Sequence, residues 1–253
     1  MVVQQPSAQQ QPPAKPAWKQ FSNFANGHPL GIEKTLRLIQ AICQILSSSI
    51  FVSYIPNAVY AVGCASARNQ VALARRYLRF FKFIESFNAS YAAWKVPAPT
   101  GTDSIRKMVV VAKWSVLGVY YAMEDLTILD AMGVWVTPWA KDTFVECNKW
   151  WFYGIALSLI ASTFSLFFPP PEFRGKPQQS QKPVNTETEK SPAIGQPNQD
   201  LTPIVRGIIV DGCDILLPGS FLGWIQATPT QVGVGMVVST LVTSRDIWVK
   251  ANM

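Results

Sequence analysis

Trp150-Trp-Phe-Tyr-Gly-Ile-Ala-Leu-Ser-Leu-Ile-Ala-Ser-Thr-Phe-Ser-Leu-Phe-Phe168 is a run of 19 residues without a charge. An α-helix needs about 20 apolar residues to cross the hydrocarbon core of a bilayer. Aromatic side chains open the run at Trp150, Trp151, Phe152 and Tyr153 and close it at Phe167 and Phe168, where interfacial belts would lie. The stretch predicts a transmembrane helix; the competing reading is a buried helix of a soluble core.

Downstream, residues 169–200 hold Pro169-Pro170-Pro171, further prolines, glutamines and mixed charges, the composition of a disordered linker. Residues 201–253 form a C-terminal membrane segment. Ile215 to Ser244 is charge-free for 30 residues, although Pro218, Pro229 and several glycines interrupt it. Gly233, Gly235 and Ser239 suit close helix approach in lipid. Arg206, Arg245 and Lys250 sit where cations flank a span. This second span is weaker than the first, and a re-entrant helix pair is the alternative.

Upstream, residues 1–29 read as a disordered Gln/Pro-rich tail. Residues 30–168 read as amphipathic helices ending in the first span: Leu30 to Tyr54, Asn57 to Trp94, and Asp103 to Val136 with Asp103 as N-cap. Lys113, Glu124, Asp125 and Asp130 argue against a plain lipid-facing span in the third. The fold class is therefore all-α: a membrane helical protein with amphipathic helices and one or two transmembrane spans.

Charge and chemistry narrow the function. Residues 1–113 carry 13 Lys/Arg against 3 Asp/Glu, whereas residues 114–253 carry 9 against 12. A basic front half calls for an anionic partner. His28 is the single histidine, the four cysteines have no metal or redox spacing, and there is no glycine-rich phosphate loop. No catalytic residue, metal ligand or cofactor site is predicted, and the chain reads as no enzyme. Asp211 and Asp214, three apart, read as boundary caps rather than a catalytic pair.

The basic segment runs Arg68-Asn-Gln-Val-Ala-Leu-Ala-Arg75-Arg76-Tyr-Leu-Arg79-Phe-Phe-Lys82-Phe-Ile-Glu85-Ser-Phe87. At ~100° per residue, Arg68, Arg75, Arg76, Arg79 and Lys82 share an arc of roughly 120° on one helix. Leu73, Tyr77, Leu78, Phe80, Phe81, Ile84 and Phe87 fill the other face, and only Phe83 and Glu85 intrude on the wrong side. That pattern predicts a continuous helix lying in the interface of an anionic phospholipid membrane, wedging headgroups apart. Packing on neighbouring helices is the bland alternative. Nucleic acid is not the expected partner, because no RNA or DNA module surrounds the segment.

These segments, in this order, resemble the peroxin 11 family of peroxisomal membrane proteins, in a fungal-type form. Gly31-Ile-Glu-Lys34-Thr-Leu-Arg37-Leu-Ile-Gln40 looks like the family's opening helix. Arg68 through Glu85 is similar to its arginine-rich helix. Gly118-Val-Tyr-Tyr-Ala-Met-Glu-Asp125-Leu is similar to its "G-x-Y-x-x-x-D-N-L" segment. Asn148-Lys149-Trp-Trp-Phe matches the run before its first span, and Asp211-Gly-Cys-Asp214-Ile-Leu-Leu-Pro218 its C-terminal signature. The resemblance implies an integral protein of the peroxisomal membrane that promotes peroxisome elongation, fission and proliferation. It also implies homo-oligomers, contact with the dynamin-related fission machinery, and delivery by the peroxisomal membrane-protein import receptor, with Arg75 to Phe83 as a targeting signal. Both termini are expected in the cytosol and the 169–200 linker in the matrix. The alternative function is a pore for small metabolites, lined by Lys113, Glu124, Asp125 and Asp130.

Overall fold

The computed structural model describes residues 16–27, 29–48, 58–97, 101–168 and 201–252. The proposed linker, the first 15 residues of the tail and His28 lie outside them. Every regular element among the described residues is helical. They are α1 Ala17–Gly27, α2 Pro29–Leu46, α3 Ala58–Leu78, α4 Lys82–Lys95, α5 Thr102–Leu126, α6 Ile128–Ala131, α7 Ala140–Phe167, α8 Thr202–Asp214, α9 Leu216–Phe221 and α10 Pro229–Asn252.

Several boundaries differ from expectation; α2 ends at Leu46, short of Tyr54, which lies outside the described residues. The tail is not wholly disordered, because Ala17–Gly27 is helical. Trp18, Phe21 and Phe24 recur every third residue, a stripe that the Gln/Pro count concealed. Phe24 is buried and its ring lies 5.5 Å from that of Trp248. Asp103 does not cap α5; Gly101, at φ 89°, occupies the N-cap, and Asp103 pairs with Arg106 at 2.6 Å within the first turn. The third helix stops at Leu126, where Thr127 at φ −93° and ψ 4° separates it from α6, and Gly133, at a left-handed φ of 71°, ends the helical run short of Val136.

All of the 19-residue apolar run except its last residue, Phe168, lies in α7, which starts ten residues earlier at Ala140. At ~1.5 Å per residue its 28 residues extend about 42 Å, more than the ~30 Å hydrocarbon core. α10 is the second helix long and apolar enough to span. Only 17% of the apolar window of α7 and 33% of that of α10 is buried inside the protein. A core helix of a soluble protein would be mostly buried, so lipid is the fitting solvent for the remainder. Both helices follow the same kind of corner. Gly133 and Gly223 adopt φ 71° and 72°, and the following amides close bonds from Val134 to the Leu129 carbonyl (3.1 Å) and from Trp224 to that of Gly219 (2.9 Å). These are helix-ending Schellman-type turns.

The helices close a ring, in the order α2, α3–α4, α5, α7, α8, α10 and back to α2. Small residues permit the tightest contacts. A Cβ on Gly233 would stand 2.6 Å from Ile45 Cγ1, and one on Gly154 would stand 2.6 Å from Leu117 Cδ2. Ala41, Val232 and Met236 form a buried apolar cluster where α2 meets α10. α8 runs antiparallel to both of its neighbours: Gly207 lies by Ser162 and Asp211 by Ser158 on the α7 side, and Cys213 lies by Gly235 and Arg206 by Asp246 on the α10 side. The two span candidates therefore point the same way, with α8 returning the chain between them.

Candidate functional site

The basic segment is not one continuous helix. α3 ends at Leu78, α4 begins at Lys82, and Phe81 between them has a left-handed φ of 65°. Arg79, Phe80 and Lys82 amides bond to the carbonyls three residues back, at 3.1, 3.2 and 2.9 Å, which tightens the chain into a corner. A left-handed non-glycine residue costs roughly 1–2 kcal/mol. The Phe81 amide donating to Asp125 Oδ2 at 3.0 Å offsets part of it. The corner lets Arg76 and Arg79 reach α5 while α4 folds back along it. Helical periodicity continues through these residues, so the sequence carries no local sign of the break.

The arginines turn inward. Arg75 donates to Glu33 Oε1 from Nε (3.0 Å) and Nη2 (2.7 Å), and to Gln40 Oε1 from Nη1 (2.7 Å). Arg76 donates to the Glu124 carbonyl and to Thr127 Oγ1, both at 2.7 Å. Arg79 meets the Glu124 carboxylate at 2.7 Å. A second cluster adjoins: Arg37 pairs with Asp214 and donates to Ser239 Oγ at 3.1 Å. Burial opposes ionisation of Glu33, but the charges of Arg75 and Lys34 and the Arg75 hydrogen bonds outweigh it and hold the carboxyl down to about 2. Lys82 lies over the Tyr121 ring, 5.6 Å from its centre. Arg68 stands outside the network and bonds to its neighbour Asn69.

Most large apolar side chains of the same segment face outward, although the Phe87 ring lies against Gly118 of α5. Tyr77, Leu78, Phe80, Phe81, Ile84 and Phe87 are exposed, Phe81 by 59%, and Leu73 is half-buried. Phe80 and Phe81 pack edge to face at 4.4 Å between ring centres. Three of the segment's five cations thus serve protein carboxylates or carbonyls, while most of its aromatics face the surroundings. Trp151 likewise turns inward and stacks on Tyr120 at 5.4 Å, rather than joining an interfacial belt.

Glu33, Gln40, Glu124 and Thr127 hold this site together, yet nothing local marks them. Glu33, Arg37 and Gln40 do recur at helical spacing on α2, which reads as a solvated face until their partners are known. The four residues of the pore reading do not share a path. Glu124 serves Arg76 and Arg79, Asp125 holds the Phe81 amide, Asp130 accepts from the Thr137 amide at 2.9 Å, and Lys113 faces Asp211. Asp211 and Asp214 also part company, the first to Ser158 and the second to Arg37.

A family model described as peroxisomal biogenesis factor 11 matches residues 18–248, nearly the whole chain. The chain belongs to the peroxisomal biogenesis factor 11 family. It is also similar to the "Peroxisomal membrane protein PMP27" of Saccharomyces cerevisiae, with 22% identity over 238 residues, covering 92% of this chain and 95% of that protein. No solved structure matches. The family match takes in α7, all but the last four residues of α10, the whole α3–α4 corner and the helices that supply Glu33, Glu124 and Asp214.

Proposed function

We propose that this member of the peroxisomal biogenesis factor 11 family elongates the peroxisomal membrane by seating the aromatic α3–α4 corner in one leaflet. Its place among membrane proteins of peroxisome proliferation follows from family membership, the yeast relative's description and the two apolar helices. The seating of the corner rests on a single observation: six large apolar side chains of one short segment are exposed while the neighbouring Arg75, Arg76 and Arg79 are engaged inside the protein. Water disfavours such a patch and a bilayer favours it, by roughly 1 kcal/mol for each half-exposed side chain that becomes covered. A rigid corner inserted on one side of a bilayer adds area to that leaflet alone and favours curvature. Attraction to anionic phospholipid then depends on Arg68 and on other surface cations more than on Arg75, Arg76 and Arg79.

Self-association, contact with the dynamin-related fission machinery and delivery by the peroxisomal membrane-protein import receptor are part of the same proposal.

The test is complementation of cells lacking the endogenous protein by a Phe80→Asp, Phe81→Asp double variant. Few, enlarged, round peroxisomes despite normal protein level and targeting would support the reading. Wild-type peroxisome number and length would overturn it.

A further inference from the structure

At the centre of the helical ring lies a cavity of about 150 Å³, lined by side chains from the helices around it. One water needs only ~10–15 Å³ of such space, so the cavity has room for a tetrahedral oxyanion. Its charged lining is unbalanced: Lys34, Arg37, Arg75, Arg79 and Lys82 face it, against the carboxylates of Glu33 and Asp214. Adding Arg76 and its partner Glu124 from behind the wall leaves the excess unchanged, at three positive charges.

Two of these guanidinium groups are incompletely satisfied. The Nε atoms of Arg37 and Arg79 are buried and have no hydrogen-bond partner. Lys34 approaches Glu33 no closer than 4.0 Å, and Lys82 faces the Tyr121 ring. Buried N–H donors and buried excess charge are costly unless something pairs with them. Ionisable groups gathered inside a membrane protein usually meet a ligand or one another. Here they meet one another only in part.

The cavity also has an apolar neighbour. A second hollow, which shares Glu33, Arg79 and Lys82 with it, is otherwise lined by Leu30, Leu78, Phe80, Phe81 and the carboxylate of Glu85. Cations in the centre and a hydrocarbon wall toward the outside suit a phosphate group, free or carried on an acyl chain.

We infer that the ring holds one phosphate-class oxyanion between Lys34, Arg37, Arg79 and Lys82. Guanidinium forks and ammonium groups bind such oxyanions through charge-assisted hydrogen bonds. The bound group neutralises the excess charge that the helices bring together, and so couples ligand binding to the packing of α2 against α3, α4 and α8. This inference stands apart from membrane elongation: the site is internal, and the aromatic corner needs no ligand to be exposed.

The experiment uses the full-length protein in phosphatidylcholine nanodiscs. One arm titrates inorganic phosphate and follows the melting temperature and bound radiolabelled phosphate. The other includes phosphatidic acid and counts the lipid retained per chain by native mass spectrometry. Lys34→Met and Lys82→Met each remove a cation without stripping a close carboxylate of its partner, so both should fold. One equivalent bound per chain, weakened about tenfold or more in both variants and unchanged by Lys149→Met on the exposed surface, is the expected result. Saturation by inorganic phosphate identifies a free anion as occupant; retention of phosphatidic acid alone identifies a lipid headgroup. Failure of both probes to bind, or binding that Lys34→Met and Lys82→Met leave intact, would overturn the inference.

Discussion

Arg79 and Glu124 meet at 2.7 Å across 45 residues of chain, both largely buried, and join the corner to α5. Breaking such a pair leaves an uncompensated buried charge, at a cost of about 3–5 kcal/mol. Glu124 also receives Arg76 at 3.7 Å, so its loss strands two cations. Glu124→Ala should therefore lower the midpoint of thermal unfolding more than Arg79→Met. The double variant should be less destabilised than the sum of the two. Circular dichroism in detergent measures all three.

Phe81 should be a site where stability and function trade against each other. Its φ of 65° is strained for a side chain bearing a Cβ, and its ring is largely exposed. Phe81→Gly should then raise stability by up to about 1 kcal/mol, while diminishing peroxisome elongation. Equal or lower stability would mean that the ring contributes packing to the protein beyond its contacts with Phe80 and Phe83.

The span was legible in the sequence, because a charge-free run of 19 residues has few other meanings. The corner was not. A wheel drawn from Arg68 to Phe87 separates cations from aromatics whichever face meets lipid, and it cannot show that Glu33 and Glu124 are waiting on other helices. Those partners lie 42 and 45 residues away from Arg75 and Arg79, beyond any local pattern. The polar residues of α2 were visible but read as solvated, since a buried ion-pair face and a wet face have the same periodicity. The α1 helix was hidden for a compositional reason: glutamines and prolines before it dominate the count, although Trp18, Phe21 and Phe24 keep helical spacing.

The Glu33 carboxyl supplies a pH prediction. Its folded value is depressed from 4.5 to about 2, so the stabilisation it contributes is fully present above about pH 4.5 and is lost as pH falls toward 2. Unfolding followed from pH 6 to pH 2 should steepen over that window. Glu33→Gln should flatten the profile there and be less stable than the parent at neutral pH.

Close approach of α10 to α2 requires Gly233. A Cβ would stand 2.6 Å from Ile45 Cγ1 and 3.3 Å from the Ala41 carbonyl oxygen. Gly233→Val should destabilise the protein by about 1–3 kcal/mol, by overpacking. Pairing it with Ile45→Ala should recover part of the loss, because the smaller side chain vacates the overlapping space.

The parallel course of α7 and α10 revises the expected topology. Phe168 and Leu201, the residues bounding 169–200, lie at the same end of the antiparallel α7–α8 pair, and the C-terminal end of α10 lies there too, where Arg206 meets Asp246. Asn252 in turn bonds to Gln20 and Asn23 of α1. Residues 169–200 should thus face the same compartment as both termini, along with Arg174, Lys176, Lys182 and Lys190, in keeping with the positive-inside tendency. A cysteine introduced at position 185 of a Cys-free variant should react with an impermeant maleimide in intact peroxisomes whenever terminal tags are protease-accessible. Protection of that cysteine beside accessible tags would place it in the matrix.

The central claim is that the α3–α4 corner lies in lipid, and depth measurement tests it most directly. A nitroxide at position 81 of the full-length protein, reconstituted in anionic liposomes, should be accessible to oxygen and shielded from a water-soluble relaxation agent. A label at position 68 should show the reverse. Equal access of both labels to the aqueous agent would contradict the account, because the aromatic corner would then lie in water.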